Sequence, residues 1–266
     1  MKKVKVTSFV LMCIVCLFVF NNSVEAYSLN TLYLLDSNRY MYTVDHTSGV
    51  PTLVGQNDLG VIDIAFAPDN TLYGVNWDQL MTIDPNTGLG TIVGTVGYNS
   101  TLICLAVGPT GEIFTSDITN GDIIKIDPLT GNGTIIGTIG GGLALSGDLA
   151  FDASGILYAT LKGAGVNDYL ATINTSTGAA SLIGDTGFER VFGLSFRNGI
   201  LYGATNGGDF LSINTSTGIG SLIGSTGLTS YGMATSSPVP EPGTFILLGS
   251  GLVGFAIIGY RRRKKA

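Results

Sequence analysis

Asp63 and Asp148 are the residues whose type and placement point most directly to chemistry. Both take the second position of a short alternating stretch, Ile62-Asp63-Ile64-Ala65-Phe66 and Gly147-Asp148-Leu149-Ala150-Phe151. Two carboxylates presented alike by two copies of one element are expected to converge. There they would share a cation such as Ca2+ or form a carboxyl–carboxylate pair. The remaining copies carry Cys104, Gly193 and Gly232 at that place, so the ligand set for a metal is thin. No cofactor is firmly implied.

A second acidic motif is the run Ile83-Asp84-Pro85-Asn86-Thr87-Gly88 and its relatives at Asp45, Asp127, Asn174 and Asn214. Exchange for Asn removes the charge a catalytic or Ca2+-binding carboxylate would supply, whereas a turn tolerates it. Asn keeps the side-chain bond to the backbone, and Gly takes the left-handed position. Turn chemistry accounts for the motif. The runs Gly88 to Gly94 and Gly131 to Gly137 have G-x-G-x-x-x-G spacing, and strand residues follow where a dinucleotide loop needs a helix. Between Tyr27 and Pro238 there is no G-x-S-x-G, H-E-x-x-H, P-loop or EF-hand spacing. A single histidine, His46, argues against His-rich zinc sites, and Cys104 is the lone cysteine of that region.

The elements that must hold these residues repeat. Taking the turn Asp or Asn as marker, the steps are 39, 43, 47 and 40 residues. Each turn is followed by an apolar pair and a Gly: Leu53-Val54-Gly55, Ile92-Val93-Gly94, Ile135-Ile136-Gly137, Leu182-Ile183-Gly184 and Leu222-Ile223-Gly224. A period near 40 made of short strands and turns describes propeller blades. In the second unit the strands are expected at Val61 to Ala67, Leu72 to Val75, Leu80 to Ile83 and Gly90 to Gly94. A second-strand signature recurs at Leu32-Tyr33, Leu72-Tyr73, Ile113-Phe114, Leu157-Tyr158 and Leu201-Tyr202.

The ends of this region complete each other. The first unit, Thr31 to Gly55, lacks its innermost strand, and Tyr231-Gly232-Met233-Ala234-Thr235 supplies one at the far end. The expected fold is therefore all-β: a single five-blade propeller of four-stranded blades, the first closed by the C-terminal strand. Closure removes sheet edges that invite aggregation. The innermost strands alternate small residues, expected at a narrow central channel, with bulky ones such as Phe66, Phe151 and Phe196, expected between blades.

In this arrangement one face gathers the loops after the second and fourth strands. It would present Tyr40, Trp77, Asp78, Tyr98, Asp117, Phe188 and Arg190. Aromatic rings beside carboxylates suit glycan stacking with polar contacts to hydroxyls. Trp77 is the only Trp. The region from Tyr27 to Pro238 has seventeen Asp and Glu against five Lys and Arg, a net charge of −12. Such a surface repels nucleic acid, which is not an expected partner.

Both ends of the chain change composition. Residues 1–26 combine a basic start, an apolar stretch from Val6 to Phe20 and a cleavage-like ending at Ala26, which is a signal peptide pattern implying the Sec export machinery. After the repeat region, 27–238, come Val239, Pro240, Glu241 and Pro242. An apolar run at 244–260, expected to form a transmembrane helix, and the basic tail Arg261, Arg262, Arg263, Lys264 and Lys265 complete the chain.

A Pro-Glu-Pro box, an apolar helix and a basic end together resemble the PEP-CTERM sorting signal of exported bacterial proteins. The resemblance covers about the last 28 residues, 239–266. It implies transient anchoring in the inner membrane and processing near Pro240-Glu241-Pro242 by an exosortase. Delivery to the cell surface or extracellular matrix would follow, often beside exopolysaccharide production. The expected role is a non-enzymatic binding or structural protein linked to extracellular polysaccharide. The alternative is a propeller hydrolase or lactonase with a cation in the central channel, on Asp63 and Asp148.

Overall fold

The computed structural model describes residues 30–97, 101–162 and 165–236. The signal peptide at 1–26, its Ala26 boundary, Tyr98, and the sorting segment at 239–266 lie outside the described residues. Among those described, no helix is long and apolar enough to cross a membrane. The expected span at 244–260 lies beyond them.

Among the described residues twenty short strands follow one another. The first blade contributes β1 (Leu32–Asp36), β2 (Tyr40–Val44) and β3 (Pro51–Gln56). The second has β4 (Asp63–Phe66), β5 (Leu72–Val75), β6 (Gln79–Ile83) and β7 (Gly90–Thr95). The third has β8 (Leu102–Val107), β9 (Ile113–Asp117), β10 (Asp122–Ile126) and β11 (Gly133–Thr138). The fourth has β12 (Ala144–Phe151), β13 (Leu157–Lys162), β14 (Asp168–Ile173) and β15 (Ala180–Asp185). The fifth has β16 (Val191–Arg197), β17 (Ile200–Thr205), β18 (Asp209–Ile213) and β19 (Gly220–Ser225), and β20 (Ser230–Thr235) ends the ring.

These strands form five four-stranded antiparallel sheets, and β20 pairs with β1 inside the first blade. The register sets Leu32 opposite Thr235 and Leu35 opposite Gly232. Five-blade closure, expected from the sequence, is the observed architecture. The innermost strand of the second blade is shorter than expected, Asp63–Phe66.

The core is divided among the blade interfaces. Tyr33 and Leu35 pack with Ile64 and Leu72 between the first and second blades. Val75 and Leu80 meet Leu105 and Ile113 at the next interface. Phe114 with Leu149 and Leu170 with Leu194 repeat the pattern. Phe210 and Tyr202 of the fifth blade then meet Leu32 and Leu34 of the first. Each fully buried Leu or Phe side chain contributes about 1.5–3 kcal/mol, so the last interface stabilises closure as much as any other.

The turns seen in the sequence form as their chemistry requires. Asp45 Oδ1 accepts the N–H of Thr47 and of Ser48, and Asn214 Oδ1 accepts those of Ser216 and Thr217. The closing Gly of each turn is left-handed, Gly49 at φ +79° and Gly218 at +81°. The Gly after each apolar pair has a separate reason. Gly55, Gly94, Gly137, Gly184 and Gly224 lie against the carbonyl oxygens of Thr87, Thr130, Thr177, Thr217 and Ser48, each in the following blade's turn. A Cβ at any of them would overlap that oxygen, so only Gly lets outer strand and neighbouring turn close together.

Candidate functional site

The carboxyl groups of Asp63 and Asp148 do meet. They approach from the second and fourth blades closely enough for each to act on the other's proton affinity. Asp63 is 0 % exposed and Asp148 1 %. Asp63 Oδ1 accepts the Ile64 N–H at 2.7 Å, and its Oδ2 accepts the Leu105 N–H of the third blade at 2.5 Å. Asp148 repeats the pattern one blade-pair on, with Leu149 N–H at 2.6 Å and Leu194 N–H of the fifth blade at 2.7 Å.

The cause is architectural. Each innermost strand turns its unpaired edge to the axis, where buried N–H groups have no ladder partner and need an acceptor. The two aspartates supply acceptors between adjacent blades.

Burial pushes both carboxyl groups above the ordinary carboxylate range, and for Asp63 the Asp148 charge adds to it. The buried Cys104 thiol is likewise raised, by burial first and then by the two acids. Among the described residues no group of three or more His, Cys, Asp or Glu is placed to hold a metal ion. At this level the axis is filled by side chains. Instead of the narrow channel suggested by the small residues of the innermost strands, it is plugged, because Asp63, Cys104 and Asp148 close on the space those residues leave.

The loop face expected to bind ligand is assembled only in part. Trp77, Asp78 and Arg190 are exposed there, with Trp77 at 58 %. Tyr40 and Phe188 are half-buried, and Phe188 packs on the core between the fourth and fifth blades. Asp117 is turned inward and buried, where it accepts the N–H groups of Thr101 and Thr119 and a bond from the Asn120 amide. Asp168 is also buried. It takes the Ser146 hydroxyl at 2.6 Å and the Val191 N–H at 2.7 Å, tying the fourth blade to the fifth, and burial raises its carboxyl. Nothing in the repeat pattern signalled that contact, because Ser146 lies where β12 departs from regular register between Leu145 and Leu149.

A cavity of about 690 Å3 opens on the opposite face, where the innermost strands end. Phe66, Phe151 and Phe196 stand in its wall, with Ala65, Ala150 and Ala234 deeper in. Sequence reasoning placed these rings between blades. They do pack there: Tyr33–Phe66, Phe114–Phe151 and Tyr158–Phe196 have centroids 5.2, 5.7 and 5.3 Å apart. Each ring is nonetheless only half-buried, and its other side meets the cavity. The alternation of small and bulky residues carried that signal.

Fold and axis together define, among the described residues, a closed five-blade β-propeller with buried acids at its centre and a cavity at one end of its axis. Residues 238–264 match the PEP-CTERM protein-sorting motif, which marks an exported protein sorted by an exosortase. No curated protein matches the chain. Among solved structures it is similar to a chain of the nidogen/laminin complex, with 11% identity, a TM-score of 0.56, and coverage of 78% of this chain and 98% of that one. It is also similar to a symmetrical protein from a study of de novo evolutionary emergence and folding constraints. That match has 18% identity, a TM-score of 0.54, and coverage of 80% and 100%. At such identities the likeness concerns the fold alone.

Proposed function

We propose that the chain is a surface- or matrix-sorted propeller that acts as a non-enzymatic binding or structural protein linked to extracellular polysaccharide. Export by the Sec machinery, a transient stay in the inner membrane and exosortase processing near Pro240-Glu241-Pro242 would deliver it. The observation that carries the non-enzymatic reading is the engagement of Asp63 and Asp148. A hydrolytic carboxylate must reach its substrate, whereas both of these are buried against backbone N–H groups. What remains accessible is the loop face around Trp77 and the cavity opposite, both suited to binding.

One observation favours the alternative, a hydrolase or lactonase using an axial cation such as Ca2+: the two carboxyl groups do come together.

The test is co-sedimentation of the full-length chain, held in a detergent without a sugar headgroup, with exopolysaccharide from its own host. It is run with Ca2+, with EDTA, and with Trp77→Ala. Retention in both Ca2+ and EDTA is the expected result, and its loss in Trp77→Ala would assign the contact to the loop face. Loss in EDTA alone would favour the cation-dependent reading. No retention under any condition would sink the matrix-binding function.

A further inference from the structure

We propose that the axial cavity binds the end of a neutral oligosaccharide chain. This deepens the polysaccharide reading and rests on it. The cavity's volume of about 690 Å3 lies within the range of ordinary ligand pockets. Phe66, Phe151 and Phe196 offer half-buried ring surfaces from three blades. Each ring is held by an aromatic partner in the preceding blade, so the platform is formed before any ligand arrives and little ordering cost attends binding. Apolar ring faces of this kind suit the C–H faces of a sugar.

The fifth and first blades contribute hydroxyls. Ser195 and Thr235 stand 2.7 Å apart in the cavity wall, and one hydroxyl of the pair keeps a proton to donate elsewhere. The wall therefore offers hydroxyls beside aromatic faces, as an amphipathic sugar ring requires.

Charge selects a neutral ligand. Among the described residues that line the cavity there is no Lys, Arg or His, and Asp152 is the one acidic residue. Asp152 Oδ1 is already engaged by the Ser154 and Ile156 N–H groups. An anionic sugar would find no cation there, within a region whose net charge is −12. The closed axis beneath, filled by Asp63 and Asp148, selects a chain end over a threaded polymer.

The full-length chain in the same detergent is titrated by calorimetry with cello-, laminari- and malto-hexaose, and with an oligogalacturonate as the charged probe. At least one neutral hexaose is expected to bind, and the oligogalacturonate is not. Phe196→Ala should weaken the bound sugar about tenfold, while Phe196→Tyr retains it. Ser195→Ala, which removes only a hydroxyl, should weaken it at an unchanged melting temperature and serves if Phe196→Ala fails to fold. Trp77 lies on the opposite face, so its fluorescence should not move on saturation.

Absence of binding by every neutral hexaose overturns the proposal. So does undiminished binding in every folded cavity variant, or binding that shifts Trp77 fluorescence. Polymer co-sedimentation without hexaose binding would leave the matrix reading standing and remove the cavity. Hexaose binding without co-sedimentation would do the reverse.

Discussion

Gly224, in the outer strand of the last blade, lies against the main-chain carbonyl of Ser48 in the first, with no room between them for a methyl group. The same contact joins Gly55 to Thr87, Gly94 to Thr130, Gly137 to Thr177 and Gly184 to Thr217. The seam between the fifth blade and the first is thus built like the four interfaces between consecutive blades. Gly224→Ala forces strand and turn apart and should cost about 1–3 kcal/mol, the usual range for overpacking. Gly207 is the control, since its nearest contact is an ordinary 3.6 Å to Thr205 Oγ1. Thermal melts of both variants check this: Gly224→Ala should melt well below wild type and Gly207→Ala close to it.

The axial pair makes stability depend on pH in an unusual direction. Burial raises both carboxyl groups, Asp148 to about 7, so the folded chain keeps protons that the unfolded chain has released above about pH 4. Stability is therefore full below the ordinary carboxylate range and declines as pH rises through 7. The urea midpoint should fall between pH 5 and pH 8. Asp63→Asn supplies a permanent donor to Asp148 and should make that decline shallower. Asp63→Ala leaves the Leu105 N–H without its acceptor and should cost about 1–3 kcal/mol at any pH.

Asp45 behaves in the opposite sense. Bonds from Thr47, joined by those from Ser48, hold its carboxyl down to about 2. Its contribution is present above the ordinary carboxylate value and is lost as pH falls from about 4 towards 2. Asp45→Asn should preserve the turn, as Asn174 and Asn214 do in the fourth and fifth blades, and should flatten that acid limb. Urea melts between pH 5 and pH 2 measure the effect.

Trp77 is the only Trp and is 58 % exposed, so intrinsic fluorescence reports its loop alone. Emission should be that of a solvated indole and open to quenching by acrylamide in the folded protein. Trp77→Ala should leave stability within about 0.5 kcal/mol of wild type in a thermal melt, since an exposed side chain away from the core contributes little. Blue-shifted, unquenchable emission would show the loop face to be covered.

Much of this molecule is local in origin and so was legible in the sequence. Turns that begin with Asp45, Asp84, Asp127, Asn174 and Asn214 are made by side chains bonding two or three residues ahead, which spacing alone reveals. Blade count followed from their repetition, and ring closure from a first blade that lacks the strand β20 supplies. The sorting tail was equally plain, being a linear motif matched at 238–264.

What the tertiary structure decided was the fate of individual polar atoms and the location of empty space. Asp63 bonds Leu105 across 42 residues and Asp148 bonds Leu194 across 46, so no local pattern reveals that these acids are consumed by neighbouring blades. Asp168 fills a buried position for the same reason, through Val191 of the fifth blade, whereas Asp117, expected on the loop face, is buried by bonds within its own blade. The cavity lies opposite the loops that sequence favoured, because depth at the axis depends on how far five strands from distant parts of the chain approach one another. Periodicity determines which residues share a strand face. Only packing of the closed ring determines which of them meet water.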